Sequence, residues 1–137
     1  MKRYDKAYLN DVVYNQGKLF DYVSWNFTNC DILDFIQCYM KSNTRKYLDQ
    51  GKAYLLTMDY KELLDYFLKN DNYKFKEGKT NDGFIIEWIG EFYAYYQWYY
   101  SIESVEAINK VSLDYLIHAY PGLHDLDLEL AVIRVGN

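Results

Sequence analysis

The chain holds a single proline, two cysteines, two histidines and seven glycines in 137 residues. Nothing so poor in proline and glycine reads as a collagen-like or low-complexity chain. The cysteines, Cys30 and Cys38, fall eight residues apart on what the apolar spacing reads as one helix, about 12 Å of rise. That is beyond the reach of a mutual disulfide, and two thiols without histidines at ligand spacing make no zinc motif. No block of Lys or Arg is present, and 20 acidic against 15 basic residues leave a charge of −5. Nucleic-acid binders use a basic face to displace counterions, so this balance argues against a nucleic-acid partner. No uninterrupted hydrophobic run exists either. Glu87, Glu91 and Gln97 break the longest one, Phe84 to Tyr100, which excludes a membrane span. Asp5, Lys6, Asn10 and Asp11 interrupt the N-terminal residues after Met1-Lys2-Arg3, so no signal peptide is expected. A reduced cytoplasmic location is the consistent expectation.

What the chain does have is aromatic side chains: 17 Tyr, 7 Phe and 3 Trp, a fifth of all residues. That much apolar surface can offset the entropy of ordering and excludes intrinsic disorder. No linker or repeat divides the chain, so residues 1–137 are read as one domain.

Helical periodicity dominates. Tyr8, Leu9, Val12, Val13, Gln16, Leu19, Phe20 and Val23 form one stripe on a helix from about Asp5 to Ser24, with Gly17 weakening it or admitting a close neighbour. Thr28 or Asn29 is the expected cap of a second helix carrying Ile32, Leu33, Phe35, Ile36, Tyr39 and Met40 and stopping near Ser42-Asn43. Thr44 to Met58 has no clear period and reads as a connector with at most one short turn. Asp59 followed by Glu62 is a capping-box start for a helix burying Leu63, Leu64, Phe67 and Leu68. Asn70 to Gly83 reads as a loop with a short extended piece at Tyr73-Lys74-Phe75.

Asn81 or Asp82 then caps the longest helix, Gly83 to Tyr100, which is apolar almost all the way round and therefore central. Ser101 starts a short helix with Val105 and Ile108 inward; Ser112 caps another with Leu113, Leu116 and Ile117 inward. Pro121 ends that helix, since the residue before a proline is biased away from helical geometry. Leu123 to Arg134 is read as a last helix with Leu126, Leu130 and Ile133 inward, although Asp125-Leu126-Asp127-Leu128-Glu129-Leu130 also alternates as a strand does. The expected fold is all-α: one bundle of about five to seven helices around a central aromatic-rich helix.

Few residues point to chemistry. Glu87 and Glu91 lie one turn apart and share a face, where paired carboxylates serve either as an acid/base pair or as the helix's solvated edge. His118 and His124 flank Pro121 near Asp114, Asp125 and Asp127, but neither has a second ligand at helical spacing, so turn hydrogen bonds are the better account than a metal. Cys38 has only Asp34 at one turn's distance, which opposes thiolate formation. No catalytic residue, metal or cofactor is assigned. The strongest local feature is the cluster Tyr93, Tyr95, Tyr96, Trp98, Tyr99 and Tyr100. It exceeds what one side of a helix buries, and Tyr and Trp are enriched at protein interfaces. With Glu87 and Glu91 these residues are the candidate interaction surface, for a protein partner or a second copy of the chain.

Several strings resemble those of a family of small bacterial all-α proteins. They are Tyr8-Leu9-Asn10-Asp11 with Asn15 to Tyr22, Ser42 to Leu48, Trp88-Ile89-Gly90 leading into Ala94-Tyr95-Tyr96-Gln97-Trp98, and Leu116 to His124 with its Tyr120-Pro121-Gly122-Leu123-His124. The A-Y-Y-Q-W and Y-P-x-L-H strings are the specific ones. Two places depart from the family's pattern: Asn43-Thr44-Arg45-Lys46-Tyr47 lacks the proline of N-P-K-Y, and Glu91 stands where W-x-G-W ends in tryptophan. Members look like companions of toxin-type genes, some similar to ADP-ribosyltransferases. The resemblance therefore implies a non-enzymatic, antitoxin-like or accessory protein whose partner is a toxin encoded nearby, and it brings no catalytic residues with it. A small enzyme using Glu87/Glu91 or the histidines, or a homo-oligomer, are the alternatives.

Overall fold

A computed structural model describes residues 4–81 and 83–137. The basic N-terminal residues Met1 to Arg3 and the candidate cap Asp82 lie outside the described residues. The described residues are helical, without a strand longer than one isolated bridge, and no helix among them is long and apolar enough to cross a membrane. After a 3₁₀ turn at Lys6–Tyr8 come α1 (Leu9–Asn26), α2 (Ile32–Met40), α3 (Asn43–Asp49), α4 (Ala53–Leu56), α5 (Tyr60–Asn70), α6 (Gly83–Tyr100), α7 (Ser104–Lys110), α8 (Leu113–Leu123) and α9 (Leu128–Val135).

The bundle is assembled on the α1–α6 pair, which shares the most extensive contact in the fold. The two helices meet where neither has a side chain. A Cβ on Gly90 would fall 2.7 Å from the Gln16 carbonyl oxygen and 3.0 Å from Gly17 Cα, and one on Gly17 would fall 2.6 Å from Glu91 Cγ. Gln16, an apparent member of the apolar stripe, is buried and donates from Nε2 to the Gly90 carbonyl at 2.8 Å, tying the crossing together.

Gln16 also opens a buried polar network that its sequence neighbours do not announce. Its Oε1 accepts from Arg45 Nε at 2.8 Å, and Arg45, with none of its surface exposed, pairs through Nη1 with Asp49. Asp49 in turn accepts from Gln97 Nε2 at 2.6 Å and from the Ser104 backbone N–H at 3.0 Å. Thus α3 joins α1, α6 and the start of α7 in one hydrogen-bonded unit. Burial works against the Arg45 charge most strongly of any single cause, but Asp49, Tyr4 and Tyr39 together outweigh it and hold the guanidinium pKa above its ordinary value.

Two further helices are the main departure from the five to seven expected, since nine α-helices lie among the described residues. The segment Thr44 to Met58, read as a connector, is α3 and α4. Its period is obscured because α3 buries Thr44, Arg45 and Asp49 beside Leu48, so its inward face is largely polar. Its start is also held from far away. Besides the Ser42 cap, Asp71 accepts from the N–H groups of Asn43 (2.8 Å) and Thr44 (3.1 Å).

Other boundaries move for equally local reasons. Asp31, not Thr28 or Asn29, caps α2, and Cys30 precedes that helix instead of lying on it, paired in an isolated bridge with Glu77 of the irregular 73–77 piece. Ser101 does not start α7. It closes α6 at φ 55, with the Ser101 and Ile102 N–H groups returning to Trp98 and Gln97 as in a Schellman end. Glu103 stands at the N-cap position of α7 without a side-chain cap bond, the Ser104 N–H going to Asp49 instead, and Val105 faces solvent. Pro121 does not stop α8, which runs to Leu123, because Tyr120 packs edge-on against Trp88 and Leu123 is buried. The last segment is helix, not strand, but turned: Ala131 and Val132 are buried, whereas Leu130 and Ile133 face out. Asp59 and Glu62 form the expected capping box.

Aromatic rings occupy two regions. Phe20, Phe35, Tyr39, Phe67, Tyr73 and Phe75 pack ring on ring between α1, α2, α5 and the 73–77 piece, where burial pushes the Tyr39 hydroxyl up to about 12. The second region is α6.

Replacing Gly90 by Ala is expected to cost about 2 kcal/mol net, because overpacking against backbone outweighs the roughly 1 kcal/mol gained in helix propensity. Thermal melting should show Gly17→Ala to be milder, since its nearest atom belongs to a movable glutamate. Arg45→Met leaves Asp49 buried beside fewer donors and should cost about 3–5 kcal/mol in urea unfolding, partly restored in Arg45→Met/Asp49→Asn.

Candidate interaction face on helices α1 and α6

The six α6 aromatics proposed as contact surface do not share a surface. Tyr93, Tyr96 and Trp98 are buried, which removes them from the candidate interaction surface; Tyr95, Tyr99 and Tyr100 are half-buried. The reason is that polar tips find carbonyl partners inside the fold. The Tyr93 hydroxyl donates to the Val111 carbonyl at 2.5 Å, Tyr96 to Gly136 at 2.9 Å, Tyr100 to Val132 at 3.3 Å, and Trp98 Nε1 to Tyr4 at 3.1 Å. Each ring thereby fills the core while its hydroxyl or N–H ties α6 to a neighbouring segment, and burial drives the Tyr93 pKa far above the ordinary phenol. Tyr95 and Tyr99 stack on one another at 6.3 Å along the outer side of α6.

Glu87 and Glu91 lie where α6 crosses α1. The Glu91 side chain covers Gly17, and Glu87 accepts an ion pair from Lys18 Nζ at 2.8 Å. Asp21, one turn beyond Lys18 on α1, completes three carboxylates around one cation. The ends of this strip carry aromatics that periodicity had not singled out. Tyr14 is 55% exposed, with Lys18 Nζ 5.6 Å from its ring centroid; Trp25 is 67% and Phe84 74% exposed. Tyr14, Lys18, Asp21 and Trp25 recur at steps of four, three and four, the outward stripe of α1, and that spacing was the available signal.

The strip is electrostatically tense. Burial, and then the neighbouring Glu87 charge, raise the Glu91 pKa; the same two causes raise that of Asp21, opposed by the hydrogen bond from Trp25. The hydrogen bond and charge of Glu87 raise Lys18. The two histidines stand apart from this strip. His118 is exposed with Nδ1 2.8 Å from the Asp114 carbonyl oxygen, and His124 stacks on Tyr120 at 4.4 Å. Among the described residues no hydrogen bond or ion pair joins either histidine to Glu87 or Glu91, and no group of three His, Cys, Asp or Glu is placed to hold a metal ion. Both cysteines are free thiols with pKa raised chiefly by burial.

A carboxyl whose pKa rises on folding binds its proton more tightly in the native state. Stability from Glu91 therefore falls as pH rises through the window that starts near its ordinary value of 4.5. Glu91→Gln should unfold at higher temperature than the parent at pH 7, with the gap closing below about pH 4, where Glu91 is protonated folded or unfolded alike. Comparison of the chain with protein-family models, with curated proteins and with solved structures finds no match.

Proposed function

We propose that this chain is a non-enzymatic binding protein that holds a partner protein against the outward face of α1 and the start of α6. The observation that carries the proposal is the trio Tyr14, Trp25 and Phe84, three large rings exposed along a strip whose backbone is held rigid by the Gly17–Gly90 crossing. Exposed Trp and aromatic anchors on a rigid element lose little entropy on docking and supply most of the energy of typical protein contacts. The surrounding carboxylates favour a basic partner surface. The A-Y-Y-Q-W and Y-P-x-L-H strings add a biological setting: an antitoxin-like or accessory protein that restrains the product of a neighbouring toxin-type gene.

Co-expression with each adjacent reading frame, followed by affinity capture, tests this reading. A stoichiometric complex is expected with one neighbour. Trp25→Ala/Phe84→Ala should reduce capture at least tenfold while its circular dichroism and melting temperature stay those of the parent. Absence of a complex with every neighbour, or capture indifferent to the double substitution, would remove the face from consideration.

A further inference from the structure

At one end of the strip the chain builds a notch. Ser24 and Trp25 from the end of α1, with Thr28 from the turn after it, face Thr80, Asn81 and Phe84 from the entry to α6 around a cavity of about 290 Å³. Exposed as it is, the Trp25 indole is not loosely placed. Its Nε1 donates to Asp21 Oδ1 at 3.0 Å, and the ring edge lies over Gly83, where a Cβ would come within 2.7 Å of Nε1. The notch also sits between the C-terminal end of α1, an 18-residue helix with no basic residue in its last turn, and the N-terminal end of α6, so the two helix poles there oppose one another and the local charge is set by side chains. Along the strip Asp21, Glu87 and Glu91 outnumber Lys18, which is engaged by Glu87.

Flat aromatic walls with a carboxylate at the edge of the indole, on a strip where acids outnumber bases, suit one side chain above others. A guanidinium stacks on aromatic faces and presents several N–H donors in its own plane, whereas an ammonium is a compact, strongly hydrated charge with no face to stack. Building on the contact face described above, we propose that the notch between Trp25 and Phe84 receives an arginine side chain of the partner protein. The guanidinium lies over the indole and donates to the Asp21 carboxylate, making this the point where the acidic strip selects a basic partner. An anionic lipid surface is disfavoured, because the same carboxylates would repel it.

Trp25 is the exposed tryptophan of the three, Trp88 and Trp98 being buried, so emission changes on ligand addition report on the notch. The full chain is titrated at low ionic strength with two end-capped tetrapeptides, one of arginine alone and one of lysine alone. Saturable quenching by the arginine peptide is expected, at least fivefold tighter than by the lysine peptide. Asp21→Asn and Phe84→Ala should each weaken it at least fivefold, whereas Asp125→Asn, an exposed acid elsewhere, should leave it unchanged. Equal binding of both peptides, or equal loss in Asp21→Asn and Asp125→Asn, would mean mere attraction to net charge and overturn the assignment. Failure of the arginine peptide to quench while Trp25→Ala/Phe84→Ala still abolishes partner capture would overturn the arginine and leave the face standing. Capture that survives the double substitution would instead overturn the face itself.

Discussion

Everything in this bundle depends on how closely α1 and α6 approach. Two glycines, Gly17 and Gly90, bring the backbones together, and the Gln16 amide closes the crossing by bonding to the Gly90 carbonyl. Packing this tight leaves no room for adjustment, because the atoms a side chain would meet at Gly90 belong to the backbone. It also dictates what lies around it. The side chain next to Gly17 on the outer side, Glu91, must lie over the crossing and gives up part of its hydration, while Gln16 on the inner side is carried into the core with a second amide atom to satisfy.

That inner demand is answered by Arg45 and Asp49, and the answer organises the middle of the chain. A fully buried guanidinium is tolerable only when charge and hydrogen bonds meet it, and here Asp49 and Gln16 do so, while Asp49 also accepts from Gln97 and from the first N–H of α7. A similar arrangement recurs at Asp71, which closes the start of α3 from the end of α5. Helix ends in this protein are capped across tertiary distance as well as by their own neighbours. The tyrosines of α6 follow the same logic from the apolar side, each ring filling space and each hydroxyl finishing a carbonyl of a distant segment.

With the α6 tyrosines committed to the core, the outward aromatic surface passes to α1 and to the first turn of α6. The rings there are held by polar contacts: Lys18 lies over the face of Tyr14, and Asp21 with Gly83 meets the edge of Trp25. An acidic chain thereby presents aromatic faces and carboxylates on one strip, the arrangement on which the proposals of a basic partner and of an arginine in the notch rest.

The sequence by itself determined the helical class, the central position of the Gly83–Tyr100 helix, the capping box at Asp59 and the shared face of Glu87 and Glu91. These depend on spacing within a single helix, and periodicity of three to four residues records them directly. Only the tertiary structure decided the rest. The apolar stripe of α1 was visible, but that Gln16 belonged to a buried network was not, because its partner Arg45 lies 29 residues away. Segment 44–58 looked like a connector since its inward face is polar and is satisfied by other helices. Pro121 looked like a stop because the anchoring ring of Trp88 is distant in the chain. Which α6 tyrosines face inward was equally undecidable from spacing, since a helix apolar on all sides has no outward face until its neighbours choose one.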